Sequence, residues 1–426
     1  MTKESSIEQQ HWTQPKKFLL LFLATYLFLY MFPFPIDQIP FLESLLSFYT
    51  TALDFVTLWV GHHLLGMQLL EKIEMTGSGD RTFDYVKLLT TVLISIFISC
   101  FVFIFTLKHK NYTKLYSWII IYARYYVGLY MLLYGFGKLY DGQFVFPGIS
   151  RLEQPYGNSS PMGLLWTFMG YSKSYTVFSG IGEIVGGALL FFRRTTVLGC
   201  LISIIVMLNV VMLNFSYDVP VKIFSSHLVL ISLIILAPNI NRLWQFFVFN
   251  KTTEIPSSKL YLPKKWMRVG RLILKPLIIV GIIGFTVFQD IEAGNEFSTN
   301  APLVGAYKAD VFIANRDTLS PLSADSTRWK KMVIAEDYIS IITMLDKPVY
   351  YQAQIDTVNK KIYLSSFNDT TEKHILAYKI EPNNQFSVSG LYDKDSICVS
   401  FKKKGLEDYL LVSRGFHWIN DYPFNR

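Results

Sequence analysis

Charged residues are scarce in this chain: 17% of its 426 residues are Asp, Glu, Lys or Arg, against 51% hydrophobic. A soluble enzyme of this length carries more polar surface, so most of the chain is expected in a lipid bilayer. Cysteine is scarcer still. Cys100, Cys200 and Cys398 stand singly with no C-x-x-C, which excludes a dithiol motif and a cysteine zinc site and leaves packing as their reading. A Walker loop, a dinucleotide fingerprint, a Ser-His-Asp signature and H-E-x-x-H are also absent. His62 and His63 are adjacent, whereas two ligands on one helix face need a spacing of four, so no metal site is read. The formal charge of +8 does not point to nucleic acid, because the basic residues sit in short segments beside apolar runs.

Long apolar runs are what the chain has instead. Spans are expected at 18–32, 85–107, 116–140, 174–192, 195–217, 220–238 and 272–288, most of them close to the roughly 20 residues that cross a bilayer. The first follows Lys16 and Lys17 and precedes Pro33-Phe34-Pro35 rather than a small-residue cleavage site, so it reads as an uncleaved span. Residues 41–70, interrupted by Asp54, His62 and His63, read as an interfacial or re-entrant segment. Lys and Arg concentrate at 16–17, 108–114, 193–194 and 242–268, all on one side if there are seven spans. The positive-inside rule then gives a multi-pass membrane protein with its N-terminus cytoplasmic and its C-terminal domain outside. The expected domains are 1–115 with N-terminal spans, 116–240 as a four-helix core, 241–295 as a cytoplasmic loop and seventh span, and 296–426 as an extracytoplasmic β domain.

Within the core lie residues that lipid does not tolerate idly: Arg124, Lys138, Glu183, Asn209, Asn214, Lys222 and His227. A charge at the bilayer centre costs at least ~2.5 to 3.5 kcal/mol, so such groups normally face the bundle interior or a water-filled cavity. At 100° per residue Arg124, Gly128, Gly135 and Lys138 form one stripe. The next span reads Ser179-Gly180-Ile181-Gly182-Glu183-Ile184-Val185-Gly186-Gly187, a small-residue groove around one carboxylate, which pairs Glu183 with Lys138 or Arg124. Asn209 and Ser216 share a face that Asn214 does not, and Lys222 and His227 are about 140° apart, so not all of these meet at one spot. With a rise of 1.5 Å per residue, Glu183, Asn209 and His227 lie ~10 to 13 Å below the outer surface, and Lys138 lies near the mouth.

The connection 141–173 is long for a bundle, and Asn158-Ser159-Ser160-Pro161 starts a helix with a serine N-cap and proline in the first turn. Met162 to Met169 then reads either as a lid on the membrane surface or as a surface packing helix. From about Phe297 the texture changes to eight short alternating runs, at 304–314, 338–345, 349–355, 361–366, 374–380, 386–391, 397–402 and 409–412. They imply an antiparallel barrel or sandwich. Gly305-Ala306-Tyr307 in the first strand and Arg414 after the last resemble the calycin, lipocalin-like barrel, in which a late arginine covers an early aromatic. His417 and Trp418 read as a plug at the barrel end or as a docking surface.

The arginine at 124, the element Tyr134-Gly135-Phe136-Gly137-Lys138, and Glu183 in Gly182-Glu183-Ile184-Val185-Gly186-Gly187 resemble the DoxX family of four-span membrane proteins, over roughly 116–238. That family includes the DoxD-like subunit of thiosulfate:quinone oxidoreductase. The resemblance implies oxidoreductase-associated work near the quinone pool, with Arg124, Lys138 and Glu183 as the positions carried over. The additional spans and the β domain depart from the minimal family pattern. Spans followed by an external β domain also look like the layout of HTTM proteins related to vitamin K-dependent carboxylase, although no residue match transfers a catalytic lysine.

Two functions follow as expectations. One is a redox-associated subunit that binds a quinone or small acid in an outward-opening site of the bundle. Arg124, Lys138, Asn209 and Lys222 bind the ligand there, and Glu183 and His227 move a proton. The other is a non-catalytic scaffold or assembly protein whose buried ion pair fixes helix register and whose β domain docks an extracytoplasmic protein. Inverted repeats and matched broken helices are not visible, which argues against a transporter.

Overall fold

The structure is a computed structural model. It describes residues 13–39, 42–73, 77–107, 112–140, 142–253, eight positions between 276 and 288, and 303–425 apart from 324, 336–337, 368–372 and 382–384. Most of the expected span 272–288 therefore lies outside the described residues. In chain order the helices are α1 (Gln14–Met31), α2 (Glu43–Trp59), α3 (Thr82–Phe105), α4 (Thr113–Leu139), α5 (Ile149–Glu153), α6 (Pro161–Tyr171), α7 (Lys173–Leu190), α8 (Thr196–Ser216), α9 (Lys222–Leu236) and α10 (Ile240–Phe247). The chain divides into two compact units, Met1–Phe144 with Ser172–Glu292, and Val145–Tyr171 with Ala293–Arg426.

The first unit is helical. Among the described residues five segments are long and apolar enough to cross a membrane: Gln14–Gln38, Thr82–Phe105, Thr113–Leu139, Thr196–Ser216 and Lys222–Phe247. The glycines of α7, with Lys173 and Glu183, dilute its apolar content and keep it out of that set. Helix α4 packs on α7, α7 on α8, α8 on α9 and α9 on α4, a closed ring, while α1 packs on α3 and α4. Ala123, Val127, Met131, Leu190, Cys200 and Ile231 fill its centre. Phe97, Ile104 and Phe105 on α3 and Ile205 and Met212 on α8 face outward, as a lipid-facing surface requires. Only Cys200 of the three cysteines is a core residue; Cys100 and Cys398 are exposed.

The second unit is built on an antiparallel sheet: β1 (Gly305–Ala314), β2 (Asp317–Thr318), β3 (Trp329–Ile334), β4 (Tyr338–Thr343), β5 (Pro348–Asp356), β6 (Lys361–Ser366), β7 (Lys373–Glu381), β8 (Gln385–Tyr392) and β9 (Asp395–Lys404). Strand β9 returns to pair with β1, which closes β1 and β3 to β9 into an eight-stranded barrel with β2 appended to β1. Closure pairs each of the eight barrel strands on both sides, so the short β2 is the edge that remains among the described residues. Alternate side chains, among them Phe312, Trp329, Met332, Ile339, Leu376 and Phe401, point inward and fill the interior.

Two strand expectations change. Trp329–Ile334 is a strand whose alternation is broken by Lys330-Lys331, where the register shifts against β4. Leu410–Ser413 is a helical turn, because β9 is already paired on both sides by β8 and β1. The cation over the Tyr307 ring is Lys403, at 5.7 Å, whereas Arg414 lies over Phe424 at 4.7 Å. Nor do the residues after Arg414 plug the barrel: Trp418 is 91% and Phe416 77% exposed.

Residues 145–171, expected within the 116–240 core, belong to the barrel unit. The helix start is as expected, with the Gly163 N–H donating to Ser160 Oγ at 3.1 Å. Helix α5 lies on the outer wall of the barrel, where Ile149 packs on Ala306, Val333 and Ile342. Glu153 at its end accepts from Lys331 Nζ at 2.5 Å, Tyr409 Oη at 2.7 Å and Lys404 Nζ at 2.9 Å. Burial pushes the Glu153 carboxyl up, but hydrogen bonds from Lys331, Tyr409 and Lys404 outweigh it and bring its pKa from 4.5 down to about 2. A depressed carboxylate stabilises above its ordinary pKa and loses that contribution as pH falls through the folded value. Protection of the 149–153 amides, measured as exchange relative to the intrinsic rate at each pH, should accordingly fall between about pH 4.5 and pH 2. Glu153→Gln should show the lowered protection already at pH 7, by roughly 1 to 2 kcal/mol given partial solvent screening; equal protection in both proteins at pH 7 would refute the clamp.

Candidate functional site

Close helix approach builds the site. On α7, Gly180 and Gly187 face α4, and a methyl at Gly187 would sit 2.8 Å from the Gly128 carbonyl oxygen and 2.8 Å from Met131 Cβ. One at Gly135 would sit 2.8 Å from the Gly180 carbonyl oxygen. The expected seam through Gly128, Gly135 and the 179–187 groove is therefore present. Gly186, on another side of α7, lies against Ser203 of α8, so one glycine-rich helix fits two neighbours.

Within this seam Lys138 Nζ donates to Glu183 Oε1 at 2.9 Å and Oε2 at 2.7 Å. Both side chains are buried, 7% and 2% exposed. Of the two cations offered to Glu183, Lys138 takes the carboxylate. Arg124 instead donates from Nε and Nη2 to the Leu190 carbonyl oxygen, at 3.1 and 2.7 Å. That carbonyl ends α7 and lacks a helical partner, and a cation there also suits the helix dipole.

His227 sits elsewhere. Its Nδ1 lies 2.7 Å from the Ile223 carbonyl oxygen and its Nε2 lies 2.6 Å from Tyr26 Oη. A carbonyl only accepts, so Nδ1 donates, and Nε2 accepts the Tyr26 hydroxyl proton in the neutral ring. Tyr30 stacks on the imidazole at 4.1 Å. From there aromatic contacts run Tyr30 to Tyr126, Tyr126 to Tyr130 and Tyr130 to Tyr134, and Lys138 Nζ lies 5.9 Å from the Tyr134 ring. The single expected site is thus two sites joined by a tyrosine ladder. These tyrosines were missed in the sequence, although Tyr26 and Tyr30, and Tyr122, Tyr126, Tyr130 and Tyr134, recur at the i, i+4 spacing that puts them on one helix face.

The remaining candidates do not join either site. Asn209 is exposed on the outside of α8; the buried amide of that helix is Asn214, which donates to Ser225 Oγ at 3.0 Å. Lys222 stands at the first turn of α9, bonded to Asp218 at 2.8 Å. The Asp80 carboxylate caps that turn by accepting from the N–H groups of Lys222 and Ile223. A cavity of about 230 Å3 between α1, α2 and α3 reaches Tyr30 and Ile223, beside His227 rather than Glu183. Groups of three or more His, Cys, Asp or Glu able to hold a metal are not found among the described residues.

Comparison with known proteins places the chain. Over 113 residues, 26% of its length, it is 36% identical to an uncharacterized protein, YwoB of Bacillus subtilis (strain 168), and the match spans 71% of that protein. The chain belongs to the YwoB family. Membership in the YwoB family assigns no chemistry to the ion pair or to His227, since YwoB is described only as uncharacterized. No family model matches the chain, and no solved structure does.

The seam makes a direct prediction. Gly187→Leu places a branched side chain where even a methyl meets the Gly128 carbonyl, and overpacking of this kind costs roughly 1 to 3 kcal/mol or more. Its melting temperature in lipid nanodiscs should fall clearly below that of Gly182→Ala, whose methyl would find only Val206 at 3.4 Å. Equal melting temperatures would rule the seam out.

Proposed function

We propose that this protein is an integral membrane anchor whose ion-paired helical bundle holds the β-barrel outside the bacterial inner membrane, where the barrel docks an extracytoplasmic partner. The observation that carries this reading is the mutual satisfaction of Lys138 and Glu183, with Arg124 engaged by Leu190. The cations needed to hold an anionic ligand already have partners. Such a pair stabilises little over an apolar one, but it leaves a costly lone charge if either partner is lost, which suits a register lock.

Connectivity supports the sidedness. The chain leaves α4 and re-enters α7 through residues of the barrel unit, so barrel and α4–α7 connection share one side of the membrane. The basic Arg193 and Arg194 follow α7 at its opposite end, on the side the positive-inside rule makes cytoplasmic.

A second reading is favoured by the stacked Tyr30 and His227 and the cavity beside them. It is the DoxX-like one, a redox-associated subunit that binds a quinone or small acid. Thermal shifts in nanodiscs with ubiquinone and menaquinone analogues separate the two. The anchor reading predicts no shift in the wild type; a shift that disappears in His227→Phe would overturn it in favour of the quinone reading. For sidedness, Val358→Cys should label in intact cells and Asn250→Cys only after lysis, both in a background with Cys100 and Cys398 replaced by Ser. The reverse pattern would invert the topology.

A further inference from the structure

The barrel unit carries a groove of about 470 Å3 between the α5 segment and the outer faces of β3, β4 and β5. That volume is in the range of small-molecule sites. Its floor is Val333 and Ile342, both buried, with the buried Ser340 between them. Tyr338 and Tyr350 line it side by side, their ring centroids 5.8 Å apart and their planes inclined at 62°. Asn158 also lines the groove. The hydroxyls of Tyr338, Ser340 and Tyr350 and the Asn158 amide make no hydrogen bond to other described residues, although every one lines the groove.

The chemistry of the occupant follows. A purely apolar ligand would strip water from four polar groups and return nothing, a loss of about 1 to 3 kcal/mol for each group left unpaired. An anion would face two carboxylates, Glu153 and Asp346, in a lining whose two cations are Arg151 and the Glu153-paired Lys331. What fits is a neutral molecule with an apolar face for the aromatic rings and hydroxyls on its rim. We propose that this groove is a carbohydrate site that takes a short neutral oligosaccharide. The site rests on the anchor reading only for its setting, because an externally displayed barrel meets glycans; the binding itself is a property of the folded chain.

The test uses the full-length protein in lipid nanodiscs free of glycoside detergent. N-acetylglucosamine tetramers and α- and β-linked glucose tetrasaccharides are titrated, with saturation-transfer NMR as readout, and a proline-rich peptide serves as the competing ligand class. At least one tetrasaccharide should bind. Tyr350→Ala, at a half-exposed position, and Tyr338→Ala should each weaken it about tenfold or more with the melting temperature unchanged. Absence of binding by every tetrasaccharide, binding indifferent to both tyrosine variants, or tyrosine-dependent binding of the peptide alone would each overturn the proposal. Failure of the anchor reading would show instead in the cysteine labelling pattern, which this titration does not touch.

Discussion

Two helices that approach closely enough to exclude water and lipid must satisfy every charge they bury, and at the α4–α7 seam one lysine and one carboxylate neutralise each other while the Arg124 guanidinium is held by the Leu190 carbonyl. Gly135, Gly180 and Gly187 bring the backbones together. The same closeness lets Lys138 reach both oxygens of Glu183. Moving either ion alone out of water costs several kcal/mol, which only a well-aligned partner offsets. Packing and electrostatics therefore depend on each other here: without the glycines the pair would be too long, and without the pair the seam would bury a lone charge.

From that seam the rest of the bundle is arranged. Arg124, one stripe up α4, secures the end of α7 through Leu190, while Gly186 seats α8 against the same helix. Helix α1 closes over α4 with aromatic rings and brings Tyr26 and Tyr30 to His227 on α9. The connection between the two seam helices runs through α5, whose Glu153 gathers donors from β3, from β9 and from Tyr409. A carboxylate inside the bundle and another on the barrel wall thus flank one stretch of chain, each held by cations distant in sequence.

Much of this was legible in the residues because it is local. The glycine groove and the Arg124 to Lys138 stripe follow from helical periodicity within single segments, and an antiparallel barrel or sandwich follows from alternation between turns; that Glu183 takes Lys138 rather than Arg124, and that β9 closes on β1, appear only in the structure. What escaped depends on tertiary context. Lys330-Lys331 hid β3 by breaking its alternation, and the apolar run 409–412 imitated a strand until closure of the barrel removed the edge it needed. Asn209 and Asn214 are equivalent by composition, and only the direction of the α9 contact decides which is buried. The assignment of 145–171 to the barrel unit rests on partners about 180 and 250 residues away, beyond the reach of any local pattern. The tyrosine ladder was visible as spacing, yet aromatic rings in an apolar run read as lipid-facing until a neighbouring helix is known to cover them.

The claim on which the account turns is that positions 138 and 183 neutralise each other across the seam. Charge reversal tests it most directly, by thermal unfolding in nanodiscs of Lys138→Glu, of Glu183→Lys and of the double exchange. Each single reversal buries two like charges and should destabilise by roughly 3 to 5 kcal/mol or prevent folding, while the double exchange should recover most of that loss. A double exchange no more stable than either single variant, or single reversals that leave unfolding unchanged, would contradict the pairing.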